Sequence, residues 1–161
     1  MGDLTISGLF RFACSRHREA TALRFADEDW SYRRLGEHAS RIGHALRAWG
    51  LQKGDRAAIL SPNVPEYLAA YYGVMLGGLV TTPVGVRLPS GGHAHIVADC
   101  GARALFFHED LLGLVEEMRP SIPSVERFVC MRATGRRMPD WVTSYEEVTG
   151  RGSTSPPSIT P

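Results

Sequence analysis

Apolar residues along this chain alternate between stripes at helical spacing and short continuous runs. Leu35, Ala39, Ile42 and Leu46 recur at steps of three and four, which predicts an amphipathic helix. Four apolar runs, each of which predicts a buried strand, begin near residues 57, 80, 103 and 126, with helical stretches between them. One strand and one helix in about every 23 residues is typical of βαβ crossovers. The pattern therefore predicts an α/β fold, with a mainly parallel sheet flanked by helices.

A β-hairpin is predicted before this sheet, over residues 21–32. Apolar and polar positions alternate there on both sides of the polar stretch 27–29, as in two paired strands. Further along the chain, Asn63 and Glu66 have the spacing of a capping box, which predicts that Asn63 begins the next helix. Gly73 and Gly77 lie one turn apart in that helix, and we expect them to admit a neighbouring element at close range.

The domain organisation follows from where this pattern stops. Residues 1–150 are predicted to form one α/β subdomain. Residues 151–161 consist mainly of Gly, Ser, Thr and Pro without apolar periodicity, which is typical of a linker. The basic loop 132–137 is interpreted as solvated surface. Residues 67–86 carry no charge, but a Gly-Gly pair divides them into a helix and a strand, so no transmembrane segment is predicted.

Composition excludes several classes of protein. The 161 residues carry 18 Lys and Arg against 17 Asp and Glu, a net charge of +1, which provides no basic surface for nucleic acid. The three cysteines, Cys14, Cys100 and Cys130, are widely spaced and form no CxxC motif, so we expect neither a zinc site nor disulfides. Reduced thiols and the absence of a secretory signal favour a cytoplasmic location.

No catalytic or metal-binding constellation is evident in the sequence. The phosphate-binding patterns GxxxxGK[ST] and GxGxxG do not occur, nor does the nucleophile pattern GxSxG. The six histidines are scattered, and His93 and His95 are two residues apart, which on a helix directs them to different sides. From the residues alone we therefore assign no catalytic residue and no metal ligand.

Several stretches nevertheless have the residues and the order of one known family. They are residues 30–35 (WSYRRL), 50–66 (GLQKGDRAAILSPNVPE), 76–83 (LGGLVTTP) and 99–105 (DCGARAL). Over about residues 8–150 the sequence resembles the N-terminal part of the adenylate-forming, or AMP-binding, enzymes. Within that family it is most similar to the acyl-CoA synthetases, or fatty-acid–CoA ligases.

The resemblance implies the N-terminal α/β subdomain of such a ligase. The family uses ATP and Mg²⁺ to activate a carboxylic or fatty acid as an acyl-adenylate, and then transfers the acyl group to CoA. Its ATP phosphates are held by a glycine-rich loop that ends in Pro-Lys-Gly, a sequence not found in these 161 residues. We therefore expect an N-terminal fragment that is inactive by itself. The remainder of the ligase, or a second copy, is expected to cover the apolar helix 64–76, and Arg87 is the one residue implied as a contact to CoA.

Two alternatives stay open at this point. One is a stand-alone, non-enzymatic α/β module that binds a partner protein, and the other is a small nucleotide-binding protein with a flavodoxin-like period.

One departure from the family also leads to a prediction, because Arg34 occupies a position that is usually acidic. Since Ser31 is a suitable N-cap, the substitution Arg34→Glu is expected to complete a capping box and to stabilise the helix that follows.

Overall fold

A five-stranded parallel sheet forms the centre of the computed structural model, which describes residues 5–89 and 91–158. A helix and a two-stranded hairpin precede the sheet, and helices connect most of its strands. In chain order the elements are α1 (Ile6–Arg16), β1 (Thr21–Phe25), β2 (Glu28–Ser31), α2 (Tyr32–Ala48), β3 (Arg56–Leu60), α3 (Pro65–Leu76), β4 (Val80–Val84), α4 (Gly92–Asp99), β5 (Ala102–His108), α5 (Leu112–Met118), β6 (Arg127–Met131), β7 (Val142–Ser144) and α6 (Tyr145–Thr149).

The sheet has the order β4-β3-β5-β6-β7, and every neighbouring pair is parallel. Counted along the chain, this is the order second, first, third, fourth, fifth, which is the flavodoxin-like doubly wound arrangement. The hairpin β1–β2 is antiparallel and forms a separate small sheet. The predicted α/β class, the parallel sheet and the preceding hairpin are all confirmed.

Alternate residues of the strands are buried against opposite faces of the sheet. On β3, Ala57 and Ile59 belong to the cluster formed with α1, α2, α3 and α6, whereas Ala58 and Leu60 belong to the cluster formed with α4 and α5. All four side chains are fully buried. Because both faces are covered, the central strands are continuous apolar runs and do not alternate between apolar and polar residues.

Helices α2 and α3 cross at very short range because glycine lies at the crossing. A Cβ atom on Gly73 would lie 2.7 Å from Cβ of Ile42 and 2.8 Å from the carbonyl oxygen of Ala39. The prediction that this glycine admits a close neighbour is confirmed. The same crossing corrects the expected exposure of the apolar helix 64–76. One side of α3 packs against the sheet, and another side packs against α1 and α2. Most of the apolar surface of α3 is therefore buried within this chain.

The start of α3 differs from the prediction. The N-cap is Val64, which provides no side-chain hydrogen bond, and Pro65 occupies the first turn. Asn63 is therefore not the N-cap, and Glu66 forms no capping box. The carboxylate of Glu66 accepts a hydrogen bond from Arg132, a residue 66 positions later, at 2.9 Å. A tertiary ion pair thus takes the place of the local cap.

The uncharged stretch 67–86 divides, as predicted, between α3 and strand β4. Gly78 turns the chain between them with φ of +77°, a conformation that favours glycine. Among the helices that the structure describes, none has the length and apolarity to cross a membrane.

Candidate functional site

The carboxyl ends of the parallel strands meet along one edge of the sheet. The register aligns Leu60 with Val84 and with Phe107, and Phe107 with Cys130, so the loops that follow β3, β4, β5 and β6 lie side by side. In doubly wound α/β folds, ligands bind in the crevice outside these ends, where the strand order reverses. That point lies here between β3 and β5. We take this carboxyl edge as the candidate functional site.

Arg132 is the best-anchored charge at the carboxyl edge. It follows β6 in the left-handed region, with φ of +57°, which is uncommon for a residue other than glycine. Its Nε donates to Glu66 on α3 and its Nη2 donates to Glu28 on β2, both at 2.9 Å. The guanidinium also lies 5.0 Å from the centre of the Phe25 ring. Only 24% of the Arg132 side chain is exposed. The interpretation of loop 132–137 as solvated surface is therefore wrong for Arg132.

The Glu28 carboxylate contacts several side chains that join the hairpin to the rest of the fold. Besides Arg132, the indole N–H of Trp30 donates to it at 3.2 Å, and Nη2 of Arg34 lies 3.7 Å away. The hydrogen bond from Trp30, followed by that from Arg132, holds the pKa of the Glu28 carboxyl below its usual range. An ionised Glu28 therefore links the hairpin, α2 and β6, which is a structural role.

A second contact ties together the loops after β5 and β6. The backbone N–H of Thr134 donates to the Glu109 carboxylate at 2.9 Å, and the Thr134 hydroxyl donates to the same carboxylate. These bonds from Thr134 lower the pKa of Glu109, with a smaller contribution from the neighbouring charges. His108 and Asp110 approach each other at 3.4 Å beside this contact. The acidic groups here hold loops in place.

Three exposed arginines follow the carboxyl ends of strands. Arg87 lies exposed in the turn after the edge strand β4, and within residues 5–89 and 91–158 its side chain takes part in no ion pair. Arg136 and Arg137 lie after β6, three positions across the sheet from β4. The structure does not bring Arg87 together with a second candidate ligand-binding residue.

A polar pair formed by the partly buried His38 of α2 and the buried Tyr145 of α6 was not predicted. Nδ1 of His38 is 2.9 Å from the hydroxyl of Tyr145, and its ring packs 4.8 Å from Trp30. Burial, reinforced by Arg34 and Arg41, lowers the pKa of His38 to about 4, and burial raises the pKa of Tyr145 well above its usual range. The sequence did contain one signal, since His38 lies on the same helical stripe as Leu35 and Ile42.

The described residues form no metal-binding cluster, and neither Cys14 nor Cys130 has the properties of a nucleophile. They contain no group of three or more His, Cys, Asp or Glu side chains that could hold a metal ion. All three cysteines are free thiols. Burial raises the pKa of Cys14 to about 11 and that of Cys130 to about 12, so neither is a reactive thiolate near neutral pH.

The strand order and the helices on both faces define a doubly wound α/β fold, with paired charges along its carboxyl edge. The sequence model of the family described as "AMP-binding enzyme" matches residues 10–158. Because this match covers most of the 161 residues, the chain belongs to the AMP-binding enzyme family. The resemblance to the N-terminal part of adenylate-forming enzymes is thereby confirmed.

Individual relatives agree with this membership. A fatty acid–[acyl-carrier-protein] ligase from Streptomyces coeruleorubidus is 37% identical over 115 residues, which is 71% of this chain and 21% of that protein. A 3-hydroxybenzoate–CoA/4-hydroxybenzoate–CoA ligase from Thauera aromatica is 35% identical over 100 residues, which is 62% of this chain and 19% of that protein. This chain therefore spans about a fifth of the length of these two ligases.

A solved structure shares the fold. The anthranilate CoA ligase in complex with anthranoyl-AMP superposes with a TM-score of 0.85 at 22% identity, over 92% of this chain and 28% of that enzyme. At this identity the likeness concerns the fold alone.

Proposed function

We propose that this chain forms the N-terminal scaffold of an ATP-dependent acid–thiol ligase of the acyl-CoA synthetase type. Such a ligase joins a carboxylic or fatty acid to AMP as an acyl-adenylate and then transfers the acyl group to CoA. The observation that carries the proposal is the family match over residues 10–158. The names of the two ligases that resemble this chain, one for fatty acids and one for hydroxybenzoates, support a carboxylic acid as the substrate.

The role of this chain within that reaction is structural. At the carboxyl edge, Arg132, Glu66 and Glu28 hold β6, α3 and the hairpin together, and Glu109 holds two loops. Stabilising charge on transferring phosphates requires preorganised amides and cations around them. The printed sequence has no glycine-rich loop ending in Pro-Lys-Gly. ATP and Mg²⁺ therefore bind outside these residues, and the chain is inactive by itself.

Arg87 is the residue through which this chain contacts CoA in the proposed ligase. It is exposed in the turn after β4, at the edge where doubly wound folds bind ligands. A guanidinium suits a phosphate group because its fork of N–H donors matches the phosphate oxygens. This assignment rests on the proposed ligase function.

The proposed boundaries are a subdomain over residues 1–150 and a linker over residues 151–161 that leads toward the remainder of the ligase. Residues 151–158 have no helix or strand and are mostly exposed. They run along α2, where Nε2 of His44 lies 2.9 Å from the carbonyl oxygen of Ser155. A Cβ atom on Gly43 would lie 3.1 Å from Cγ of Pro157. Free thiols support a cytoplasmic location for the proposed ligase.

Two assays test the proposal. In the first, the purified chain is supplied with ATP, fatty acids and hydroxybenzoates, and carboxylate-dependent ATP–pyrophosphate exchange is measured. We expect no exchange above the blank, and a signal above it would contradict an inactive scaffold. In the second, residues 10–158 replace the matching segment of the hydroxybenzoate ligase of Thauera aromatica. The chimera is expected to form the acyl-adenylate, whereas a folded but inactive chimera would favour a non-enzymatic interaction module.

The same chimera tests Arg87. The Arg87→Ala variant is expected to raise the KM for CoA by about tenfold, because a charge-assisted contact to phosphate is lost. Its ATP–pyrophosphate exchange should be unchanged, since that step precedes CoA. Arg137→Ala is the matched control, because this residue is also an exposed arginine after a strand end. An unaltered KM in the Arg87 variant would remove the proposed contact.

A further inference from the structure

Helix α1 presents an apolar face to solvent. Phe10 points inward, where its ring stacks 3.9 Å from that of Tyr72, and it anchors the helix to the fold. Beside it, Ile6, Leu9 and Phe12 follow one another at steps of three residues and form a continuous strip along α1; they are 57%, 58% and 64% exposed. These are three of the five large apolar side chains that are exposed in the described part of the chain. The apolar residues left uncovered by the fold are thus concentrated on one helix.

The charged side chains of α1 itself and of the two residues that follow it are all positive. Residues 5–18 contain Arg11, Arg16 and Arg18 but no Asp or Glu, and all three arginines are exposed. None of them takes part in an ion pair within residues 5–89 and 91–158. Arg16 lies one turn after Phe12 and two turns after Leu9, so it shares their face of the helix. Apolar contact and cationic contact are therefore available on the same surface.

A groove of about 690 Å³ runs beside α1 and extends this cationic surface. Its lining includes Leu9 and Phe12 together with Arg11, Arg18 and Arg33. Glu37 also lines the groove. Arg33 is paired with Glu19 at 3.0 Å, which leaves Arg11 and Arg18 as the cations able to meet anionic groups beside the helix.

We propose that α1 docks this protein onto an anionic membrane surface. A helix that combines exposed bulky apolar residues with arginines lies in the plane of the interface, with its apolar side about 5–10 Å into the boundary of headgroups and acyl chains. The 11 residues of α1 form about 16 Å of helix lying parallel to that surface. Ile6, Leu9 and Phe12 enter the acyl boundary, while the arginines remain among phosphate headgroups because their long side chains reach outward. The charge of the face selects anionic lipid over a neutral surface or a second, equally cationic copy of α1.

Co-sedimentation of the complete chain with lipid vesicles tests this docking. We expect binding to phosphatidylglycerol vesicles at low salt, weaker binding at high salt, and little binding to phosphatidylcholine vesicles. The double variant Leu9→Ser/Phe12→Ser should lower the affinity for phosphatidylglycerol by about tenfold or more, because two inserted apolar side chains are lost. Val80→Ser is the matched control, since Val80 is 50% exposed on the edge strand β4, and it should leave binding unchanged.

A second measurement keeps the test independent of the folding of the serine variant. Phe12→Trp retains the apolar surface, and its added fluorescence should shift to shorter wavelength when phosphatidylglycerol vesicles are present. No shift, equal binding to both lipids, or undiminished binding by a folded Leu9→Ser/Phe12→Ser variant would each overturn membrane docking. A dimer in light scattering that this double variant dissociates would also overturn it, in favour of a second copy as the occupant. Vesicle binding is independent of the ligase activity proposed above.

Discussion

The guanidinium carbon of Arg34 lies 4.1 Å from the centre of the Trp30 ring. The same side chain approaches the Glu28 carboxylate at 3.7 Å, so it joins the start of α2 to the hairpin. The hydroxyl of Ser31 already accepts a hydrogen bond from the backbone N–H of Arg34 at 3.2 Å. Half of the expected capping box is therefore present whatever side chain occupies position 34.

These contacts reverse the expected effect of Arg34→Glu. A glutamate at this position would lose the cation–π contact with Trp30 and would place a second carboxylate beside Glu28. We expect the free energy of unfolding, measured by urea denaturation, to fall by about 1 kcal/mol. Arg34→Gln serves as the control, since it removes the cation without adding an anion and should cost less. A glutamate variant as stable as the wild type would show that the completed capping box outweighs both losses.

Gly73 is expected to tolerate no side chain. In Gly73→Ala the new Cβ atom would overlap Ile42 and the backbone of Ala39, so α2 and α3 would have to separate. We expect a loss of about 2–3 kcal/mol in the free energy of unfolding, as for overpacked cores. Gly113→Ala in α5 is the matched control, because nothing lies within 4 Å of its Cβ position. That control should gain about 0.5–1 kcal/mol from helix propensity, and equal effects of the two substitutions would contradict the close crossing.

His93 is a buried polar side chain whose replacement should stabilise the fold. It is 5% exposed, and neither ring nitrogen has a hydrogen-bond partner among the described residues. An unsatisfied buried polar group costs about 1–3 kcal/mol, so His93→Leu should raise the free energy of unfolding by that order. His95→Leu is the control, because His95 lies exposed on the same helix and should change stability little. A lower melting temperature for His93→Leu would indicate that its ring nitrogens do have a stabilising partner.

His38 should make stability depend on pH between about 6.5 and 4. In the unfolded chain His38 titrates near 6.5, whereas burial in the fold lowers its pKa to about 4. Between these values the unfolded state binds more protons, so the free energy of unfolding decreases as the pH falls. The partial exposure of the ring limits this contribution to about 1–3 kcal/mol.

The substitution His38→Gln separates this contribution from those of other groups. Glutamine does not titrate and retains a polar atom for the Tyr145 hydroxyl. Urea denaturation at several pH values should therefore give a shallower decline for His38→Gln than for the wild type. His95→Gln should keep the slope of the wild type, because His95 is exposed. Identical slopes in the His38 variant and the wild type would show that this histidine is not the group responsible.

Local periodicity was sufficient to predict most of the elements. Strands β3 to β6 begin at residues 56, 80, 102 and 127, close to the predicted spacing, because burial on both faces leaves an apolar run in the sequence itself. The hairpin and α2 are buried on one side only, and they were predicted from the alternation of the strands and from the apolar stripe of the helix. Helix α1 was not predicted, since Ile6, Leu9 and Phe12 face solvent and blur the apolar stripe that marks a buried helix face.

The sequence by itself therefore determined the fold class, the succession of strands and helices, and the family to which the chain belongs. The tertiary structure alone decided which strands are neighbours and which charges meet. Glu66 and Arg132 are 66 residues apart, and His38 and Tyr145 are 107 apart. No local pattern records such pairs, because each partner is brought into place by the packing of separate elements. For this reason the local sequence predicted a capping box for Glu66, whereas in the fold its carboxylate pairs with Arg132.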